Sequence, residues 1–221
     1  MLAVLVVLFL GADFGVRAWA ESALASRIAE GLAVSGEPDV DLHGFPFLFR
    51  VAAGRFDQVE LQAEALGAGG LVLRDVTLDL RDVTFSVGAL LGGTGSFHAE
   101  RGSGHAMVTE DDLSAFLQAE GHPVDVRFEG RTVRVLTTIS VGPEEVDVSA
   151  TGPLELRRGA LRFRPRTVRA GGTIAVPASA FALDVALPEL LPGLRYERLA
   201  VRQGTARLFV RIADVEIPAG G

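Results

Sequence analysis

Polar and apolar residues alternate along much of the chain. Val59, Leu61, Ala63 and Ala65 alternate with Gln58, Glu60, Gln62 and Glu64. The same period runs through Asp39 to His43, then Val76, Leu78 and Leu80, and Val124, Val126 and Phe128. It continues in Val133, Val135, Thr137, Ile139 and Val141, in Val146, Val148 and Ala150, and in Leu208, Val210 and Ile212. A period of two with one apolar face predicts antiparallel strands covered on one side and solvated on the other. The breaks between them, Gly130, Gly142-Pro143, Gly152-Pro153 and Gly204, suit hairpins and meanders.

A helical period interrupts this pattern near the N-terminus. Val16, Ala20, Leu24, Ile28 and Leu32 recur every fourth residue, with Trp19 and Ala23 beside them. They predict an amphipathic helix from Val16 to Val34, stopped by Ser35-Gly36-Glu37-Pro38. Thr109-Glu110-Asp111-Asp112 reads as the capped start of a shorter helix through Glu120, and Pro177 to Phe181 as the start of another. The expected class is α+β: one long antiparallel meander with a long N-terminal helix. Twist makes such a sheet curl around something, the helix or a ligand.

Met1 to Gly11 is apolar and uncharged, which is signal-core length and shorter than the ~20 residues of a membrane span. Ala18-Trp19-Ala20 then offers small residues before Glu21, as a cleavage site would. The expectation is an exported chain, with residues 1–20 a signal peptide or membrane anchor and residues 21–221 a single domain. It would lie in the cell envelope, on the outer side of the plasma membrane, anchored or secreted.

Composition changes the picture by exclusion. The chain has 221 residues, 48% of them hydrophobic, which is ample for a core. Without cysteine there is no disulfide, thiolate metal site or cysteine nucleophile. All 21 basic residues are arginine, so a Walker phosphate loop and a Schiff base are excluded as well. The net charge of −7 is uneven: through residue 156 the chain carries −13, and from residue 157 on it carries +6. Arg157, Arg158, Arg162, Arg164, Arg166 and Arg169 crowd 13 residues that hold no acid. Arg162, Arg164 and Arg166 alternate with Phe163 and Pro165, which would set them on one strand face. Guanidinium forks suit phosphate oxygens, so this face is a candidate for docking anionic headgroups. Pairing with the acid-rich first part of the chain is the rival reading. The acidic balance and the scarcity of aromatic–basic interleaving speak against a nucleic acid partner.

Catalytic motifs are sparse. No nucleophile elbow, dinucleotide fingerprint or zinc-protease helix occurs, and His43, His98, His105 and His122 lie on separate segments. Asp39, Asp41 and His43 share a strand face that could hold a cation, but a solvated face accounts for them; no metal and no cofactor is expected.

The stretch Gly44-Phe45-Pro46-Phe47-Leu48, followed by Gly54, Arg55, Phe56 and Val59, is unusual in a chain with few aromatics. It resembles the LmeA-type phospholipid-binding proteins of actinobacterial cell envelopes, whose hallmark is a Gly-Phe-Pro-Phe-Leu corner before a strand with a Phe and a Val. Leu187-Pro188-Glu189-Leu190-Leu191-Pro192-Gly193-Leu194 is similar to that family's paired Leu-Pro segment, with Leu191 as an insertion. The resemblance implies a fold like the tubular (BPI-like) lipid-binding proteins, with a curved sheet wrapped on the long helix and an apolar cavity for acyl chains. It also implies binding of anionic phospholipid without catalysis, with transfer as an extension of it, in the service of envelope lipid or glycolipid maintenance. Phe45, Phe47, Leu48 and Phe56 are then candidates for the mouth or wall of the cavity, and Val135, Thr137 and Ile139 for its strand wall. The expected partners are anionic phospholipid, a membrane surface and an envelope glycan-assembly protein. Two other readings stand beside this one: an envelope scaffold with a packed barrel, and a lipid or glycan hydrolase.

Overall fold

Long stretches that alternate in sequence become long strands. The computed structural model describes residues 13–26, 34–36, 38–44, 46–86, 88, 96–141, 143–171 and 177–218. Helix α1 covers residues 13–26. Next come β1 (Val34–Ser35), β2 (Asp39–His43), α2 (Phe47–Ala53), β3 (Arg55–Ala68), β4 (Leu71–Phe85) and β5 (Ser96–Thr109). Helix α3 (Glu110–Ala119) leads to β6 (Asp125–Glu129), β7 (Thr132–Val141) and β8 (Glu144–Gly152). Short strands β9 (Leu154–Arg157), β10 (Ala160–Phe163), β11 (Thr167–Ala170) and β12 (Leu183–Ala186) precede the closing hairpin of β13 (Leu194–Arg202) and β14 (Thr205–Pro218). The class is α+β, with antiparallel strand dominating.

The described strands form three sheets instead of one meander. The large sheet runs β1-β3-β4-β5-β14-β13, with β2 beside β1 on the outer edge of β3. A second sheet runs β11-β8-β7-β6 and a third β12-β10-β9. Every pairing is antiparallel, and most join sequence neighbours. Strands β1 with β3, β8 with β11 and β10 with β12 pair across an intervening strand or more, and β14 returns over the longest span to pair with β5 along 13 register positions from Thr205–Thr109 to Pro218–Ser96.

The ladders of the large sheet are interrupted across one row. Asp82 and Asp214 both take left-handed φ, 53° and 59°. The ladders step over both residues opposite Glu100. Inward positions change parity there: Phe97 and Ala99 point in on one side, Ala106 and Val108 on the other. Aspartate tolerates this backbone better than most residues, and the break adds local twist. Arg55 and Arg101 each hold the Asp82 carboxylate at 2.7 Å. The Arg55 hydrogen bond is the main reason that this carboxyl sits below its ordinary range.

Two cores result. The larger joins Leu113, Phe116 and Leu117 of α3 to the second and third sheets and to half of the large one. The smaller joins Ala20 and Leu24 of α1 to β2, α2 and the other half. Val16 packs against its margin, while Trp19 points outward; Ile28 and Leu32 lie outside the described residues. Helix α1 runs unbroken through the Ala20–Glu21 junction. The Asp13 carboxylate accepts the Leu48 N–H at 2.8 Å, and Glu21 accepts the Leu42 N–H at 3.0 Å.

Helix α3 is the stitched element. Thr109 caps it, accepting the Asp112 N–H at 3.2 Å, and Glu110 reaches across to accept the Phe128 N–H at 2.6 Å. Arg74 donates to both Asp112 oxygens, at 2.7 and 3.0 Å. That pair, and then the Thr109 hydroxyl, hold the Asp112 carboxyl below the ordinary carboxylate range against the opposing cost of burial. A lowered carboxyl contributes stability above its unfolded pKa and loses it as pH falls through the folded one. Stability is therefore expected to drop below roughly pH 4, and Asp112→Asn should flatten that acid limb in thermal melts. A variant with an unchanged acid limb would disprove the linkage.

Candidate functional site: an apolar cavity under a leucine-rich strap

The inner face of the large sheet does not close on itself midway along its length. Small residues on adjoining strands, Ala63, Gly67 and Ala68 of β3 and Ala106 of β5, leave a gap that longer neighbours do not fill. The resulting cavity has a volume of about 250 Å3. Leu61, Leu66, Leu73, Leu78 and Leu208 wall it from the sheet with Leu194 at the start of β13, and Leu190 and Leu191 from the segment before β13 cover it. Gly104 explains part of the shape. A Cβ there would lie 2.7 Å from the Thr77 carbonyl and would collide with Leu78, so only glycine lets Leu78 lie across this strand.

The cover is a strap, residues 188–193, pinned at both ends. At one end the half-buried Tyr196 donates its hydroxyl to the Pro188 carbonyl at 2.7 Å, and the Leu187 N–H donates to the Gly159 carbonyl at 2.8 Å. Burial pushes the Tyr196 pKa up to about 12. Gly69, at the β3–β4 turn with φ 51°, packs so closely that a Cβ would meet Pro188 at 2.5 Å. At the other end the Ala213 N–H donates to Gly193 at 3.1 Å. Among the described residues that line the cavity, only His105 and the exposed Glu189 titrate, and none is a serine, threonine or tyrosine. Such a space can sequester hydrocarbon and offers little to hold a polar group inside. No three histidine or carboxylate side chains among the described residues gather as metal ligands would.

The residues proposed from sequence fall elsewhere. Phe45 lies outside the described residues. Phe47 and Phe56 belong to a stacked row of rings, Phe47–Phe56 at 5.4 Å, Phe56–Phe85 at 4.6 Å and Phe85–Phe97 at 5.9 Å, inside the smaller core. Leu48 is half-buried beside that core. Val135 packs in the larger core beneath α3, Ile139 is half-buried on β7, and the Thr137 hydroxyl donates to the Pro123 carbonyl at 2.9 Å. None of these described side chains lines the cavity. Its roof comes instead from the paired Leu-Pro segment, which the sequence marked only as a likeness to the family and not as a site.

The arginine strand is also rearranged. Arg162 sits on β10, paired with Asp184 at 2.9 Å. The strand ends at Phe163, so Arg164 and Arg166 lie exposed in the crossing to β11 and do not share its face. Pro165 has no N–H to donate, which ends the ladder. A different arginine face forms on β13 and β14. Arg195 stands directly opposite Arg211, Arg207 is exposed on the same side, and Arg198 lies 3.9 Å over the Phe209 ring. Like charges opposed across a ladder cost stability, and here the Glu197 carboxylate of β13 accepts from Arg211 and offsets part of that charge.

A family model described as LmeA-like phospholipid-binding matches residues 11–209, which include α1, the Phe-Pro-Phe corner, the cavity floor and the strap. No curated protein and no solved structure matches the chain.

Proposed function

Because this chain belongs to the LmeA-like phospholipid-binding family, we propose that it is a non-enzymatic carrier that holds an acyl chain of an anionic phospholipid in the cavity beneath the 188–193 strap. The observation that carries this reading is the apolar space of about 250 Å3 itself, floored by alanine and glycine and roofed by leucine. Its size is below the roughly 300–1,000 Å3 of drug-sized pockets. It suits part of one hydrocarbon tail, with the headgroup left outside. Each methylene buried contributes about 0.8 kcal/mol, so a tail alone supplies useful affinity. The arginines of β13 and β14, together with Arg164 and Arg166, support a preference for anionic headgroups, since each basic group near such a surface adds about 1 kcal/mol. The long antiparallel sheet, with its ladders interrupted opposite Glu100, is compatible with the tubular likeness implied by the sequence resemblance. The apolar Met1–Gly11 supports export to the envelope, where binding and transfer would serve lipid or glycolipid maintenance. A fully packed scaffold would leave no such space.

Mass spectrometry of organic extracts from purified full-length protein tests the proposal. Phospholipid is expected at close to one molecule per chain or a constant fraction of it. Repeated preparations free of lipid, which also fail to take up a fluorescent phosphatidylglycerol, would remove the carrier reading.

A further inference from the structure

We propose that the end of the molecule built by α1 and α2 is a membrane-docking surface, which sets Phe14, Trp19 and Phe49 into the headgroup boundary of a phospholipid bilayer. Among the described residues, the large hydrophobic side chains left exposed are these three, at 67%, 47% and 67%. They share one end of the fold. Phe14 and Trp19 lie on the outward arc of α1 with Gly15 and Ala18, and that arc turns polar only at Ser22 and Ser26. The Asp13–Leu48 hydrogen bond ties the start of α1 to α2, and Phe14 follows one partner of that bond in sequence and Phe49 the other.

The charges nearby are turned inward or paired. Asp13 is buried, Arg17 binds Glu21 at 2.7 Å and approaches Asp41 at 3.7 Å, and Arg50 binds Asp57 at 2.7 Å. The surface therefore presents aromatic rings with little charge to desolvate.

The sequence that enters this end points to the occupant. The uncharged, apolar Met1–Gly11 precedes α1, with Ala12 and the buried Asp13 between it and Phe14, so chain and surface carry the same preference for hydrocarbon. Tryptophan and phenylalanine at such a junction partition into the bilayer interface, where a ring finds both apolar contact and a wet margin. Docking here brings the carrier to the lipid it takes up, so the inference rests on the phospholipid reading above for its purpose but not for its test.

Trp19 is the chain's single tryptophan, and its fluorescence reports on this surface without a label. Full-length protein is mixed with vesicles of phosphatidylcholine and phosphatidylglycerol, and flotation identifies the bound fraction. The expected result is a blue shift of Trp19 emission and protection from acrylamide in that fraction. Phe14→Ser with Phe49→Ser should weaken partitioning by about tenfold for each ring lost, with the melting temperature held near that of the parent protein. Three results would overturn the proposal. One is failure to bind vesicles, or Trp19 left as accessible as in solution on bound protein. Another is unchanged partitioning of the double variant. The third is a blue shift that grows with protein concentration without vesicles, which would assign the surface to a second copy. Lipid extraction from the same preparations reads the cavity separately. Bound phospholipid with an exposed Trp19 removes the docking surface alone, and an empty cavity with a protected Trp19 removes the carrier reading alone.

Discussion

Phe56→Ala is expected to destabilise the protein by about 3–5 kcal/mol, the cost of deleting a fully buried ring. At roughly 2–4 °C per kcal/mol for a chain of this size, the melting temperature should fall by about 6–20 °C. Phe56 is 1% exposed and sits between two ring partners, Phe47 at 5.4 Å and Phe85 at 4.6 Å. Its removal leaves a cavity with α2 on one side and β4 on the other, and neither can close it easily. Helix α2 is fixed by the Asp13 carboxylate, and β4 by its pairing with β3 and β5. The loss should propagate to α1, whose Ala20 and Leu24 pack in the same cluster. Thermal melts check the magnitude, and limited proteolysis checks whether cleavage after Arg17 becomes faster. A loss below 1 kcal/mol would show that the ring row is dispensable.

Ala106→Phe is expected to empty the protein of phospholipid while leaving it folded. Ala106 points inward from β5 on the cavity floor, with 5% of its surface exposed. A phenyl ring there enters the space that the acyl chain would use. Filling an empty cavity tends to stabilise, and overpacking costs about 1–3 kcal/mol, so the net change in stability should be small. The readout is extracted phospholipid per chain, expected to fall by tenfold or more, on the order of the 1.4 kcal/mol that a tenfold change represents. Ala63→Phe, on β3 at the other side of β4, should act alike and serves if the first variant folds poorly. Full lipid content in either well-folded variant would place the ligand elsewhere in the molecule.

Much of the fold is legible in the sequence where one strand face is solvated. The alternations of residues 58–65, 133–141 and 207–212 all became strands. Strand β5 escaped because Gly102 and Gly104 carry no side chain to mark the pattern, and because its inward parity changes next to Glu100. Helix α2 escaped because Pro46 and its flanking phenylalanines read as a corner; the corner is its N-terminus, with Gly54 ending it at φ 64°. The single meander became three sheets, since short strands β9 to β12 are too brief for periodicity to show how they pair. The candidate lipid residues included large aromatic side chains, and of these Phe47 and Phe56 are buried in the smaller core.

By itself, then, the sequence determined the class, the cap at Thr109, the apolar entry of the chain and, through the Phe-Pro-Phe corner, the family. These are local properties, set by neighbours within a few residues or by a motif. The tertiary structure decided where the space lies. Ala63 and Ala106 are small in any reading, but they make a cavity only because β3 and β5 flank β4 on one inner face while Leu190 and Leu191 arrive from far along the chain. It also decided that Trp19 faces out while Ala20 is fully buried. A void or an exposed ring is a relation between distant elements, and its energy depends on what fails to fill or cover it.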